Sequence, residues 1–322
     1  MIKNCLLILA PFLLTSAILA QVEETHDNFT EEVNQHKVFS QTNGLSYNLF
    51  YTYEYNHQFG NYRFIPGSQS LRYNRVDALF LGIGTDFATS NTNSFEINGL
   101  YFDGFLGYST GQQNWQYRAG VSKPFGDKFL IGAELMNTTT TDDFWRTGLS
   151  ENSVTSLLAG YDYHDFYNSE GYSTFSELNL NRFLSVSASY NYITYGSLEH
   201  NTGYSFFDGG NIERINPMVD ASTNTINQES LGFKLTINKN GLTKGSVTSK
   251  LIASAELSDE AWMSNNDFNY SKFEITSLNY LRLDQNTFIK VRFMGGSITG
   301  EAPDFKNFAL GGIGSLRASS YK

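Results

Sequence analysis

Residues 184–192 read LSVSASYNY. Leu184, Val186, Ala188, Tyr190 and Tyr192 alternate with Ser185, Ser187, Ser189 and Asn191. A strict period of two places the apolar set on one face of an extended strand and the small polar set on the other. The pattern recurs on both sides of this stretch. Leu231, Phe233, Leu235 and Ile237 oppose Gly232, Lys234 and Thr236, and Ile289, Val291 and Phe293 oppose Lys290 and Arg292. Val247, Leu251, Ala253, Ala255 and Leu257 oppose Thr248, Lys250, Ser254 and Glu256. Upstream, Trp115, Tyr117, Ala119 and Val121 oppose Gln116, Arg118, Gly120 and Ser122. These runs predict an all-β, antiparallel fold.

Alternation alone fits two architectures. In a soluble sandwich the apolar face points inward; in a transmembrane barrel it meets lipid, and Arg118, Lys234, Lys250 and Lys290 meet a wet lumen. The amino terminus favours the barrel. Lys3, the apolar run Leu6 to Leu14, and the small residues Ala17 and Ala20 follow the layout of a secretory signal peptide over residues 1–20. Cys5 precedes the apolar run, so it is lost with the peptide and no lipid anchor is expected. Residues 21–45 are polar and acidic and read as a flexible leader. Residues 46–322 are then expected to form the barrel domain.

Composition points the same way. The chain has 20 Tyr, 26 Phe and 28 Gly but only 17% charged residues, where a soluble domain carries about 25%. Mean hydropathy is −0.32, and no segment is a transmembrane helix candidate. A net charge of −10 offers no basic stripe for phosphates, so nucleic acid is not an expected partner. The mature chain has no cysteine, which excludes disulfides and thiolate metal sites.

Connections set an orientation. Short links fall at 123–128, 181–183, 238–245 and 282–286, and long polar links at about 138–170, 196–226 and 258–267. Outer-membrane barrels have short periplasmic turns and long external loops. Trp115, Tyr190, Tyr192 and Phe288 are candidates for the aromatic girdles. About ten strands are expected by residue 300, with Ser46 to Tyr55 as an eleventh. Stretches 99–108 and 172–180 are poorly patterned.

The carboxyl end, NFALGGIGSLRASSYK (307–322), is the most specific stretch. Gly311, Gly312 and Gly314 permit a tight excursion, and Arg317 offers a permanently charged planar fork. The run resembles the loop motif of the BamA/TamA family, the bacterial surface antigens, in which a Gly-Gly pair precedes Ser/Thr-Leu-Arg-Gly-Tyr/Phe. RYNRVDALFLGIG (72–84), GYDYHDFYNSEGY (160–172) and GSITGEAPDFKNF (296–308) resemble further stretches of that family. The resemblance implies a sixteen-stranded barrel whose external loop folds into the lumen, docking Arg317 with support from Gly311, Gly312, Ser315 and Leu316. Ala318 and Ser319 depart from the motif, and further strands are expected beyond Lys322.

What the resemblance implies about activity is the assembly or translocation of outer-membrane proteins, in contact with outer-membrane lipid. The alternatives are a passive channel or structural barrel and, more remotely, a barrel-bound hydrolase. Asp162, His164 and Asp165 read as solvated loop residues; His164 with Ser169 is the only hydrolase-like pair to propose. Asp142, Asp143 and Glu151 lack the spacing of a calcium loop. No catalytic residue, metal or cofactor is expected.

Overall fold

The computed structural model describes residues 71–308 apart from 85–94, 127, 144–148, 182, 208–209, 211, 239–242, 245–246, 262, 264–265 and 284–287. The signal peptide, the leader, the strand expected at Ser46 to Tyr55 and the Gly311–Arg317 motif lie outside these residues.

The chain forms one antiparallel sheet. Its strands are β1 (Leu71–Asn74), β2 (Ala78–Gly84), β3 (Phe95–Ile97), β4 (Leu100–Ser109), β5 (Asn114–Phe125), β6 (Phe129–Thr140) and β7 (Tyr167–Asn179). They continue with β8 (Leu184–Ser197), β9 (Thr225–Ile237), β10 (Thr243–Lys244), β11 (Val247–Ser258), β12 (Tyr270–Arg282) and β13 (Phe288–Gly300). Eleven lie in one continuous order, β1-β2-β4-β5-β6-β7-β8-β9-β11-β12-β13, while β3 pairs with β4 and β10 with β11 off that path. Apart from those two, each strand pairs with its predecessor along the chain, the order that short reversals produce most readily. Among the described residues β1 and β13 do not pair, so the sheet is open.

Every alternating run read from the sequence lies inside a strand. The two poorly patterned stretches are strands too. β4 is interrupted by Gly104 and Gly107. In β7 the aromatic Phe175 lies on the same face as Ser173 and Glu177 because Gly132, its partner on β6, leaves room beneath the ring.

The sheet bends toward its polar face. Arg72 on β1 and Thr138 on β6 stand four strand spacings apart, about 19 Å in a flat sheet. Arg72 Nη2 nevertheless donates to Thr138 Oγ1 (3.5 Å), a gap the two side chains close only if the sheet curves. At the other edge the ring of Phe305, beyond β13, packs 4.7 Å from that of Tyr167 on β7 and 4.8 Å from that of Tyr195 on β8. The polar face is therefore concave. The convex face carries exposed apolar residues, among them Leu106, Leu135, Phe233 and Phe293.

Long connections gather at one end of the strands: 141–166, 198–224 and 259–269, with tight turns at 75–77 and 110–113. Short ones, such as 126–128 and 180–183, gather at the other. This is the alternation that the sequence predicts. The first long connection carries a helix, α1 (Leu149–Ala159). It stops at Gly160, whose φ of +68° is open to glycine, and Gly160 N–H donates to Ser156 O (3.2 Å), the single bond of an αL-type helix end.

Candidate functional site: a polar concave face capped by loops

The β1–β2 turn starts the site. Asn74 Oδ1 accepts the backbone N–H groups of Val76 (2.9 Å) and Asp77 (2.6 Å), a local bond that reverses the chain within three residues. The reversal aims Asp77 at the concave face, where Arg72 Nε donates to its Oδ2 (2.8 Å). Asp77 Oδ1 accepts from Gln116 Nε2 (2.7 Å), Gln112 Nε2 (2.8 Å) and Thr139 Oγ1 (2.8 Å). The Arg72 guanidinium also lies 3.8 Å over the Phe80 ring centroid. Burial raises the Asp77 pKa, but Arg72 and the donated hydrogen bonds outweigh it and hold the carboxyl below its ordinary value.

Arg75, fully buried, joins this turn to the long connections. Its backbone N–H donates to Asp162 Oδ2 (2.9 Å), and Nη2 donates to Asp165 Oδ1 and Asn216 Oδ1, both at 3.1 Å. Nη1 lies 3.3 Å from Asp162 Oδ1 as an ion pair. Arg214 Nη2 closes on Asp165 from the other side (2.6 Å). Burial lowers the Arg75 pKa, with Asp162 opposing the shift.

The loop that reads as solvated in the sequence is enclosed in the structure. Asp162, His164 and Asp165 are buried at 0%, 0% and 8% exposure, not solvated. Local composition shows only a polar loop; the arginines that draw the carboxylates inward come from distant parts of the chain. Ser169 is also fully buried, sharing a 2.5 Å hydrogen bond with Thr140 Oγ1. Asp143 accepts the Asp165 N–H (2.8 Å), and Asp142 accepts the Tyr167 hydroxyl (2.6 Å). Among the described residues no group of three or more His, Cys, Asp or Glu could hold a metal ion.

A second cluster forms where the chain returns after β13. Asp304–Lys306 make one 3-10 turn that enters the concavity. Ala221 N–H donates to Asp304 Oδ2 (3.0 Å), Phe305 seats on Tyr167 and Tyr195, and Lys306 Nζ donates to both Glu256 oxygens (3.1 and 3.2 Å). Burial lowers the Lys306 pKa, yet Glu256 and neighbouring groups outweigh it and leave the ammonium well above its ordinary value. Farther along the same face, Arg118 pairs with Asp103 (2.8 Å) and approaches Glu134 (3.8 Å). The inward placement of Arg118 follows the sequence pattern, but its pairing with Asp103 and Glu134 was not legible there.

Three separated stretches thus meet at the loop end. Arg75 from 72–84 holds Asp162 and Asp165 from 160–172, and Tyr167 of the latter packs on Phe305 from 296–308. Such a lattice of paired charges can fix loops over a concave face. Comparison of the sequence with protein-family models and with curated proteins gives no match.

Proposed function

We propose that this chain forms the wall of a bacterial outer-membrane β-barrel of the BamA/TamA type, with a loop-capped interior, acting in the assembly or translocation of other outer-membrane proteins. The carrying observation is the inversion of its faces. Trp115, Phe293 and Leu106 are 63%, 57% and 54% exposed on the convex side, while Arg72, Asp77, Gln116 and Glu134 are buried on the concave one, beside a small apolar cluster that includes Met136, Ile193, Tyr195 and Ile226. Water as the outer solvent would favour the opposite arrangement; hydrocarbon favours this one. The asymmetry of long and short connections supports it, with the long ones facing outward from the cell.

Support for the family comes from its three resembling stretches. They are far apart in sequence and contact one another through Arg75, Asp162, Asp165, Tyr167 and Phe305. The predicted Arg317 docking and closure to sixteen strands belong to the same proposal. A passive channel is the second reading. The buried pairs of Arg75 and Lys306, together with Phe305, obstruct the concave face at its loop end and make an open pore the weaker of the two.

Expression from the native leader tests the barrel. The protein should fractionate with outer membranes and migrate differently on gels before and after boiling; absence of both sinks the barrel. Deleting the gene tests the activity. An unchanged outer-membrane protein profile would reject assembly, and steady conductance of purified protein in planar bilayers would favour the channel.

A further inference from the structure

The convex face has a pit. It spans β5 to β9, with a volume of about 670 Å³, inside the roughly 300–1,000 Å³ range of small-molecule sites. Its origin is visible in the strand register. Ala133 pairs with Thr174, and Ser176 with Ala188, so four small side chains adjoin on three neighbouring strands. Larger residues stand around them: Ile131 opposite Ser176, Tyr190 opposite Thr174, and Phe233 opposite Ala188.

At the rim stands Lys123, directly across from Ile131 in the same row. It is exposed, and among the described side chains on the convex faces of these strands it is the only cation. It lies two residues before the end of β5, on the short-turn side, with its ammonium 5.3 Å from the Phe125 ring centroid.

We propose that the pit seats one acyl chain of an anionic phospholipid, whose phosphate is held by Lys123. The proposal rests on the reading of the sheet as a membrane wall. In hydrocarbon an unfilled pit forfeits dispersion contacts along its lining, and a flexible methylene chain is the solvent component able to recover them. An ammonium on the same face cannot remain in hydrocarbon, so it extends along its own stem to the headgroup level. The Phe125 ring supports that position from the side. The lipid that fills the pit therefore presents its phosphate to Lys123. A net anionic headgroup is preferred because a zwitterionic one carries its own compensating amine.

Native mass spectrometry of the full chain in detergent micelles, with phosphatidylglycerol or phosphatidylcholine added, tests this. Wild type should retain one phosphatidylglycerol with about fivefold preference over phosphatidylcholine. Lys123→Gln should abolish the preference, and Ser176→Leu with Ala188→Leu should fill the pit and lose the retained lipid. Equal retention by wild type and both variants, with heat-modifiable migration intact, overturns the lipid seat and leaves the barrel standing. Loss of heat-modifiable migration in wild type removes the barrel reading and this one with it. Should the double leucine variant fail to fold, Lys123→Gln alone decides, since its side chain is exposed.

Discussion

Asp77 shows how much one residue can hold. It is fully buried and joins β1, β5 and β6 through Arg72, Gln116 and Thr139. Its carboxyl titrates below its ordinary value of 3.8. The stability it contributes is therefore complete above that value and is lost as pH falls through the lower folded one. Unfolding by denaturant in detergent should show a stability nearly flat from about pH 7 to pH 5 that declines below the ordinary carboxylate range. Asp77→Asn should lower stability by about 3–5 kcal/mol at neutral pH, because Arg72 is left buried without its charge partner. The variant should also lose part of the acid-side decline; an unaltered decline would mean that other carboxylates govern it. None of this was legible from the sequence. Gln116 and Thr139 lie 39 and 62 residues from Asp77, and neither a period nor a motif reports contacts of that separation.

Strands are more legible than their partners, since alternation is local and pairing is not. β8 and β9 follow the alternation closely, with Val186, Phe233 and Leu235 outward and Ser185 and Thr236 inward. β7 was obscured because its small outward residues Thr174 and Ser176 and its inward Phe175 reverse the usual sizes. The reversal is explained by Gly132: a Cβ there would lie 2.1 Å from the Phe175 ring. Gly132→Ala should therefore cost about 1–3 kcal/mol from overpacking, and Gly132→Ala with Phe175→Leu should recover part of it. The turn after β13 behaves differently, since it is held by a buried ion pair. Lys306→Ala should destabilise by about 3 kcal/mol, because Glu256 loses its ammonium partner and keeps Gln228 Nε2 (2.8 Å), whereas Lys306→Met combined with Glu256→Leu should restore part of the loss. Limited proteolysis across 301–308 provides the readout. Cleavage that is no faster in Lys306→Ala than in wild type would show that Phe305 and Asp304 hold the turn alone.

The convex face is built for one solvent, water or hydrocarbon, and a single substitution distinguishes them. Leu135 is the seventh of twelve residues in β6 and is 49% exposed on that face. If water surrounds it, Leu135→Arg replaces one exposed side chain with another and changes stability by no more than about 0.5 kcal/mol. If hydrocarbon surrounds it, an arginine near the midplane costs about 2–4 kcal/mol, a penalty that fades toward the interfaces. Leu158 on α1 is the internal control. It is 43% exposed but lies among the loops, beyond the strands, so Leu158→Arg should be near neutral in either solvent. Equilibrium unfolding of both variants in phospholipid bilayers separates the cases by comparison within one protein. A penalty at residue 135 with none at residue 158 fits a membrane wall. Equal, small effects at both positions would mean that the exposed apolar face meets something other than lipid, and the barrel proposal would have to be abandoned.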